Sequence, residues 1–75
     1  MYIIIVGAGN IGSSLIDLAT KDPNNVVAIE IDRKVATAIS RKYDVEVINA
    51  DGASAEVLME AGANRADALV ATTRD

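Results

Sequence analysis

A parallel α/β domain of βαβαβαβ order is the fold class this sequence predicts, and three observations predict it. An unbroken apolar run, Ile3 to Val6, leads straight into Gly7, Gly9 and Gly12. Along the rest of the chain, short aliphatic runs alternate with segments of helical spacing. The apolar residues are mostly Ile, Val, Leu and Ala, with no Phe or Trp and two Tyr. That is the composition helices packed on a parallel sheet use.

A β-branched run like Ile3 to Val6 suits a strand buried on both faces. The glycines after it permit a tight turn, a close approach of backbone to a ligand, and close contact of helix with sheet. A helix is expected from about Asn10, with Ile11, Leu15, Leu18 and Ala19 at helical spacing and Ser13, Ser14 and Asp17 on its other side. Lys21 complements the dipole of the last turn, and Asp22-Pro23-Asn24-Asn25 is a strong turn signal. Val26 to Ile31 reads as the second strand, carrying Glu30 near its end. Asp32 is placed to cap a second helix, Arg33 to about Lys42, with Val35 and Ile39 inward.

The third strand is Val45 to Ile48, followed by a loop from Asn49 to Ala53. Ser54 caps a third helix, Ala55 to Ala61, with Glu56 in the first turn where negative charge is favoured. Leu58 and Met59 are expected in its core face. Gly62 stands where a left-handed residue ends a helix. Ala63 to Ala66 connect to a fourth strand, Asp67 to Ala71. No internal repeat, low-complexity tract or linker interrupts this order, so residues 1–75 read as one partial domain.

Size and composition narrow the function classes. A chain of 75 residues buries only about 60% of its unfolded surface. With no Cys there is no disulfide framework and no thiolate zinc site; with no His the commonest general base and metal ligand is absent. Hence neither a catalytic residue nor a metal ligand is assigned. A net charge of −4, with no Lys/Arg block longer than two, argues against a nucleic-acid surface. The first apolar run is too short and lacks the basic flank of a signal peptide, and no segment approaches a membrane span. A cytoplasmic location follows as the expectation, with any work at a membrane done through a partner.

Strands alternating with helices imply right-handed crossovers. For half of a dinucleotide-binding, Rossmann-like fold the expected strand order is 3-2-1-4. The first two helices then cover one face and the third crosses to the other. That leaves the second face of strands 2 and 3 thinly covered and strand 4 an open edge. Both are poorly tolerated in a monomer, so self-association or pairing with another chain is expected.

The glycines have the G-x-G-x-x-G spacing, a strand before, a helix after, and an acid, Glu30, roughly 20 residues on. A helix N-terminus aimed at the turn suits a pyrophosphate, and a carboxylate at the tip of strand 2 suits a ribose diol. The plainer reading is a tight turn with Glu30 a solvated strand end. Gly12 serves helix–strand packing on either reading. A phosphate loop of the Walker type is excluded because Ser13 stands where its lysine must be. Glu30 would repel a 2′-phosphate, favouring NAD or NADH over NADP.

Arg33 can serve a 2′-phosphate or be an exposed first-turn residue, and Asp32 a cap or a ligand contact. Asp51, at the same sheet edge, either faces an adenine or forms a turn before Gly52. Thr72 and Thr73 follow strand 4 near the switch point where ligands bind, or simply end it.

Five motifs in register carry a more specific likeness. Tyr2-Ile-Ile-Ile-Val-Gly-Ala-Gly-Asn-Ile-Gly, Val27-Ala-Ile-Glu-Ile-Asp, Ala50-Asp-Gly-Ala-Ser, Glu56-Val-Leu-Met-Glu-Ala-Gly and Ala66-Asp-Ala-Leu-Val-Ala-Thr-Thr together resemble the TrkA-N domain. This is the nucleotide-binding domain of K⁺ transporter and channel regulators, also called KTN or RCK. The resemblance implies a cytosolic, non-catalytic regulatory module that binds NAD(H) or an adenine nucleotide (ATP, ADP or AMP). As a dimer or ring, such a module gates a membrane K⁺ uptake subunit.

By that resemblance Gly7, Gly9 and Gly12 hold the diphosphate, Glu30 the adenosine ribose, and Asp51 with Gly52 frames the adenine. The expected ligand-contacting set is Gly7, Ala8, Gly9, Asn10, Ile11 and Gly12, then Glu30, Ile31, Asp32 and Arg33, then Asp51, Gly52, Thr72 and Thr73. The chain departs from the family's usual pattern at Ala50, where glycine is usual. It departs again at Ala53-Ser54-Ala55, where threonine and then Asp-Pro are often found. The family domain runs beyond Asp75, so what is present resembles its AMP-binding half. Two other classes remain as alternatives: an NAD-binding fragment of an oxidoreductase, and an association module that has lost its ligand.

Overall fold

The computed structural model describes residues 1–72. Four strands and three α-helices alternate: β1 (Tyr2–Val6), α1 (Asn10–Ala19), β2 (Asn25–Ile29), α2 (Arg33–Lys42), β3 (Glu46–Ile48), α3 (Ala55–Glu60), a 3₁₀ turn at Ala63–Arg65, and β4 (Ala68–Ala71). All pairings are parallel and the sheet order is β3-β2-β1-β4. The chain is a Rossmann-like α/β half domain, as the strand–helix alternation predicts.

The alternation of β1 builds two cores. Ile5, with Val26 and Ala28 of β2, lies under α1 and α2 and meets Ile16 and Ile39. Ile4, with Val27 and Ile29, lies on the opposite face beside Ala61, Val57 and Leu58. Ile4, Ile5, Ile16 and Ile29 are essentially inaccessible. Burying each such side chain is worth about 1.5–3 kcal/mol, so the sheet centre is the most stable part of the fold.

Three expectations are corrected here. The second face of β2 is not thinly covered: Val27 and Ile29 are 3% and 1% exposed, because α3 lays Val57 and Leu58 over it. The exposed apolar sheet is β4 instead, where Leu69 is 45% and Val70 36% accessible, since among the described residues no element packs beyond that edge. On α1, Gly12 and Ile16 form the buried line, while Ile11 and Leu18 face solvent. Gly12 sets that rotation: its position lies directly against the Gly7 carbonyl, drawing its own face of the helix onto the sheet. Met59 of α3 is likewise exposed, not core.

Helix ends follow local chemistry. Asp32 Oδ1 accepts from Lys34 N–H at 2.9 Å and Val35 N–H at 3.3 Å, and Ser54 Oγ accepts from Val57 N–H at 3.4 Å. Replacing Asp32 by Ala removes the N-cap of α2, and a thermal melt should show a loss of about 1 kcal/mol. Gly62 adopts φ 87°, the left-handed C-terminal position. Helix α1 ends earlier than expected, at Ala19, so Lys21 lies beyond its last turn. There it makes an exposed contact with Asp17 at 3.9 Å, worth a few tenths of a kcal/mol at most.

Candidate functional site

Parallel topology carries the C-terminal ends of all four strands to one edge, and the chain order reverses there between β1 and β4, the position at which open α/β sheets bind ligands. The glycine turn fills the centre of this edge. Gly7 N–H donates to Ile29 O at 2.8 Å, pinning the turn to the neighbouring strand. Gly7 has φ +91°, and a Cβ there would sit 2.5 Å from the carbonyl and hydroxyl oxygens of Thr72. Only glycine adopts this conformation without strain.

Helix α1 opens at Gly9, which has no side-chain cap. Its first helical bond runs from Ser13 N–H to Gly9 O at 2.8 Å. Among the described residues, no backbone or side-chain acceptor takes the amides of Gly9, Asn10, Ile11 or Gly12. Helices α2 and α3 each have a capping side chain that accepts from first-turn amides; among the described residues α1 has none. Four such amides at the positive end of a ten-residue helix suit an anion. Gly9 itself is open: an added Cβ would meet nothing within 4 Å.

Glu30 lies directly beneath the turn and is 8% exposed, so it is not the solvated strand end of the plainer expectation. Its Oε1 accepts from Ala8 N–H at 2.8 Å and its Oε2 from Asp32 N–H at 2.6 Å. Each carboxylate oxygen retains acceptor capacity. The carboxylate therefore joins the glycine turn to the end of β2.

The remaining expected residues separate. Gly52 packs against Val6 and Ile29, where a Cβ would fall on Val6 Cγ1 and 3.6 Å from Ile29 Cγ2; the loop after β3 thus closes down on the ends of β1 and β2. Asp51 is exposed, and its Oδ1 accepts from Ala53 N–H at 2.9 Å, the turn-forming arrangement. Asp32 caps α2. Arg33 is exposed and borders an open groove of about 260 Å³ between α2 and β3, with Thr37, Ser40 and Asn49. No glycine-turn residue borders that groove. Ile31 and Ile11 stand exposed at the same edge of the sheet.

Thr72 is turned inward. Its hydroxyl shares a proton between Val6 O and Gly7 O, each at 3.1 Å, so it shapes the turn from β4. Thr73 lies outside the described residues. One contributor escapes sequence reasoning altogether: Asn49, whose Nδ2 donates to Glu30 O at 2.9 Å and Ile31 O at 3.1 Å. As a lone loop asparagine it carries no motif; only the Asn preference for turns marks it.

A glycine turn at a parallel-sheet switch point, a helix with free N-terminal amides and a buried acid on the adjacent strand define the nucleotide-binding half of a Rossmann-like domain. The chain belongs to the TrkA-N domain family, whose model matches residues 3–75. It is 37% identical over 73 residues to the Trk system potassium uptake protein TrkA of Vibrio alginolyticus, covering 97% of this chain and 16% of that protein. It is 38% identical over 73 residues to a Trk system potassium uptake protein TrkA homolog of Pyrococcus abyssi, covering 97% and 32%. The chain thus spans about a sixth to a third of the length of these relatives. None of its described helices is long and apolar enough to cross a membrane.

Proposed function

We infer that this chain is a non-catalytic, adenine-nucleotide-binding regulatory module of a K⁺ uptake system, with NAD or NADH as its favoured ligand and ATP, ADP or AMP as alternatives. One observation carries the ligand reading: the amides of Gly9 to Gly12 have no acceptor among the described residues, the space off Gly9 is open, and the buried Glu30 carboxylate is bonded to the same turn through Ala8 N–H. The amides receive the diphosphate; Glu30 accepts from the ribose hydroxyls; Ile31, Asp51 and Gly52 border the adenine. Thr72 and Asp32 support the site, the first by holding the turn and the second by presenting its amide to Glu30. A 2′-phosphate beside Glu30 is disfavoured by charge. The K⁺ uptake role rests on the relatives, which are Trk system potassium uptake proteins. A membrane subunit of such a system is the proposed partner, biased by whichever nucleotide stabilises one assembly geometry over another. The module works at the cytoplasmic side.

Calorimetric titration with NAD, NADH, ATP, ADP and AMP tests the ligand reading. Submillimolar binding of at least one is expected, and none tighter than millimolar overturns it. NADH turnover with small carbonyl or imine substrates would instead revive the oxidoreductase alternative.

The domain is also proposed to self-associate through β4, whose outer edge offers unpaired backbone groups flanked by exposed Leu69 and Val70. Sedimentation at micromolar concentration should show a species larger than the monomer, and Leu69→Lys should shift it to monomer. A wild-type chain that sediments only as monomer refutes this.

A further inference from the structure

We propose that Asn49 is a positioning residue of the nucleotide site, acting on Glu30 through the peptide unit that joins Ile31 to Asp32; the inference rests on the nucleotide reading above. Asn49 is the first residue after β3, and the ladder between β2 and β3 runs on around it. Glu30 N–H donates to Ile48 O at 2.9 Å and Ala50 N–H to Glu30 O at 3.1 Å. Beyond Glu30 the chain turns out of the sheet, and the Ile31 carbonyl loses its place in the ladder. Asn49 Nδ2 replaces the missing partner, reaching Ile31 O at 3.1 Å while also bonding Glu30 O at 2.9 Å.

That carbonyl belongs to the same planar unit as the Asp32 N–H. The N–H of this unit donates to Glu30 Oε2 at 2.6 Å, and Glu30 Oε1 takes the Ala8 N–H of the glycine turn at 2.8 Å. Rotation of the Ile31–Asp32 peptide about its neighbours would break both ends at once. Asn49 therefore clamps one end of a rigid plate whose other end orients the carboxylate, and through it the turn. Its amide must be a donor: both atoms it faces are carbonyl oxygens. An acid of the same shape fails there by repulsion.

The test uses the whole chain with Asn49→Ala and Asn49→Asp, probed with ADP and 2′-deoxy-ADP. The wild type is expected to prefer ADP by about tenfold, the worth of one charge-assisted hydrogen bond to Glu30. In both variants ADP affinity should fall by about threefold to tenfold, and the ADP preference should shrink by about threefold or more, because a loosened carboxylate no longer reads the 2′-hydroxyl. A role in packing alone would leave the isosteric Asn49→Asp like wild type and the preference unchanged; either result overturns the proposal.

Amide exchange in the ligand-free protein separates this from the nucleotide reading. Ala8 and Asp32 amides should exchange several-fold faster in both variants, with Ile5 in the sheet centre as an unchanged reference. If no nucleotide binds the wild type, the nucleotide reading fails by itself, and exchange at Ala8 and Asp32 still decides whether Asn49 holds Glu30. Unaltered exchange at those two amides refutes the clamp.

Discussion

Gly12→Ala should strongly destabilise this domain, by about 3 kcal/mol, although the change adds a single methyl group. The new Cβ would land on the Gly7 carbonyl, backbone against backbone, with Thr72 Oγ1 3.3 Å away. No flexible side chain can move aside. Gly7 is itself locked by Ile29 O and by the Thr72 hydroxyl, so α1 must lift from the sheet and open the contact of Ile16 with Ile5. Overpacking of this kind costs about 3 kcal/mol. A domain of this length has only about 4–11 kcal/mol of stability in total. The midpoint of thermal unfolding should fall by about 12–24 °C. A melt followed by far-UV circular dichroism that shifts by less than about 4 °C, the equivalent of under 1 kcal/mol, would show that the helix does not rest on the turn as described.

Gly9→Val, three residues away, should do the opposite: leave the fold standing and remove ligand binding. Gly9 is exposed, has a negative φ, and has nothing within 4 Å of an added Cβ. That open space lies at the N-terminal end of α1, beside its uncapped amides, and a valine side chain would occupy it. Losing one or two charge-assisted hydrogen bonds to phosphate costs about 100-fold in affinity. Calorimetry with the tightest-binding nucleotide should therefore detect no binding, while the melt stays within about 1 kcal/mol of wild type. Retained affinity in a folded Gly9→Val protein would falsify the assignment of the diphosphate to this turn. Glu30→Ala is a poorer probe of the ligand. It leaves the buried Ala8 amide and the Asp32 amide without an acceptor, at about 1–3 kcal/mol for each group that water does not reach. Loss of binding in that variant would not separate ribose recognition from collapse of the turn; 2′-deoxy-ADP separates them.

Much of the architecture was legible without coordinates because it is encoded locally. Asp32 and Ser54 announce helix starts by what their side chains accept, Gly62 a helix end by its backbone freedom, and Ile3 to Val6 a central strand by the absence of any polar interruption. The strand order followed from handedness and from the glycine fingerprint. Apolar spacing succeeded only in part on α1: Leu15 and Ala19 pack on the core as expected, but Ile11 and Leu18 face solvent while Gly12 and Ile16 are buried. A pattern of side-chain polarity cannot see that the smallest residue lets the backbone come closest. The buried face was chosen by that approach, not by the count of large apolar groups.

By itself, the sequence determined the order of elements, the caps, the parallel sheet and the glycine turn with its acid, since each depends on residues close in the chain or on rules of connection. Only the tertiary structure decided what the polar side chains at the sheet edge do. Glu30 takes the distant Ala8 amide of the glycine turn beside its local Asp32 amide, Thr72 turns its hydroxyl onto β1, and Asn49 supplies the donor that the Ile31 carbonyl lost where the chain leaves β2. Those choices depend on which donors and acceptors remain unpaired once the strands are side by side, and partners 18 to 66 positions apart are brought within bonding distance only by the fold.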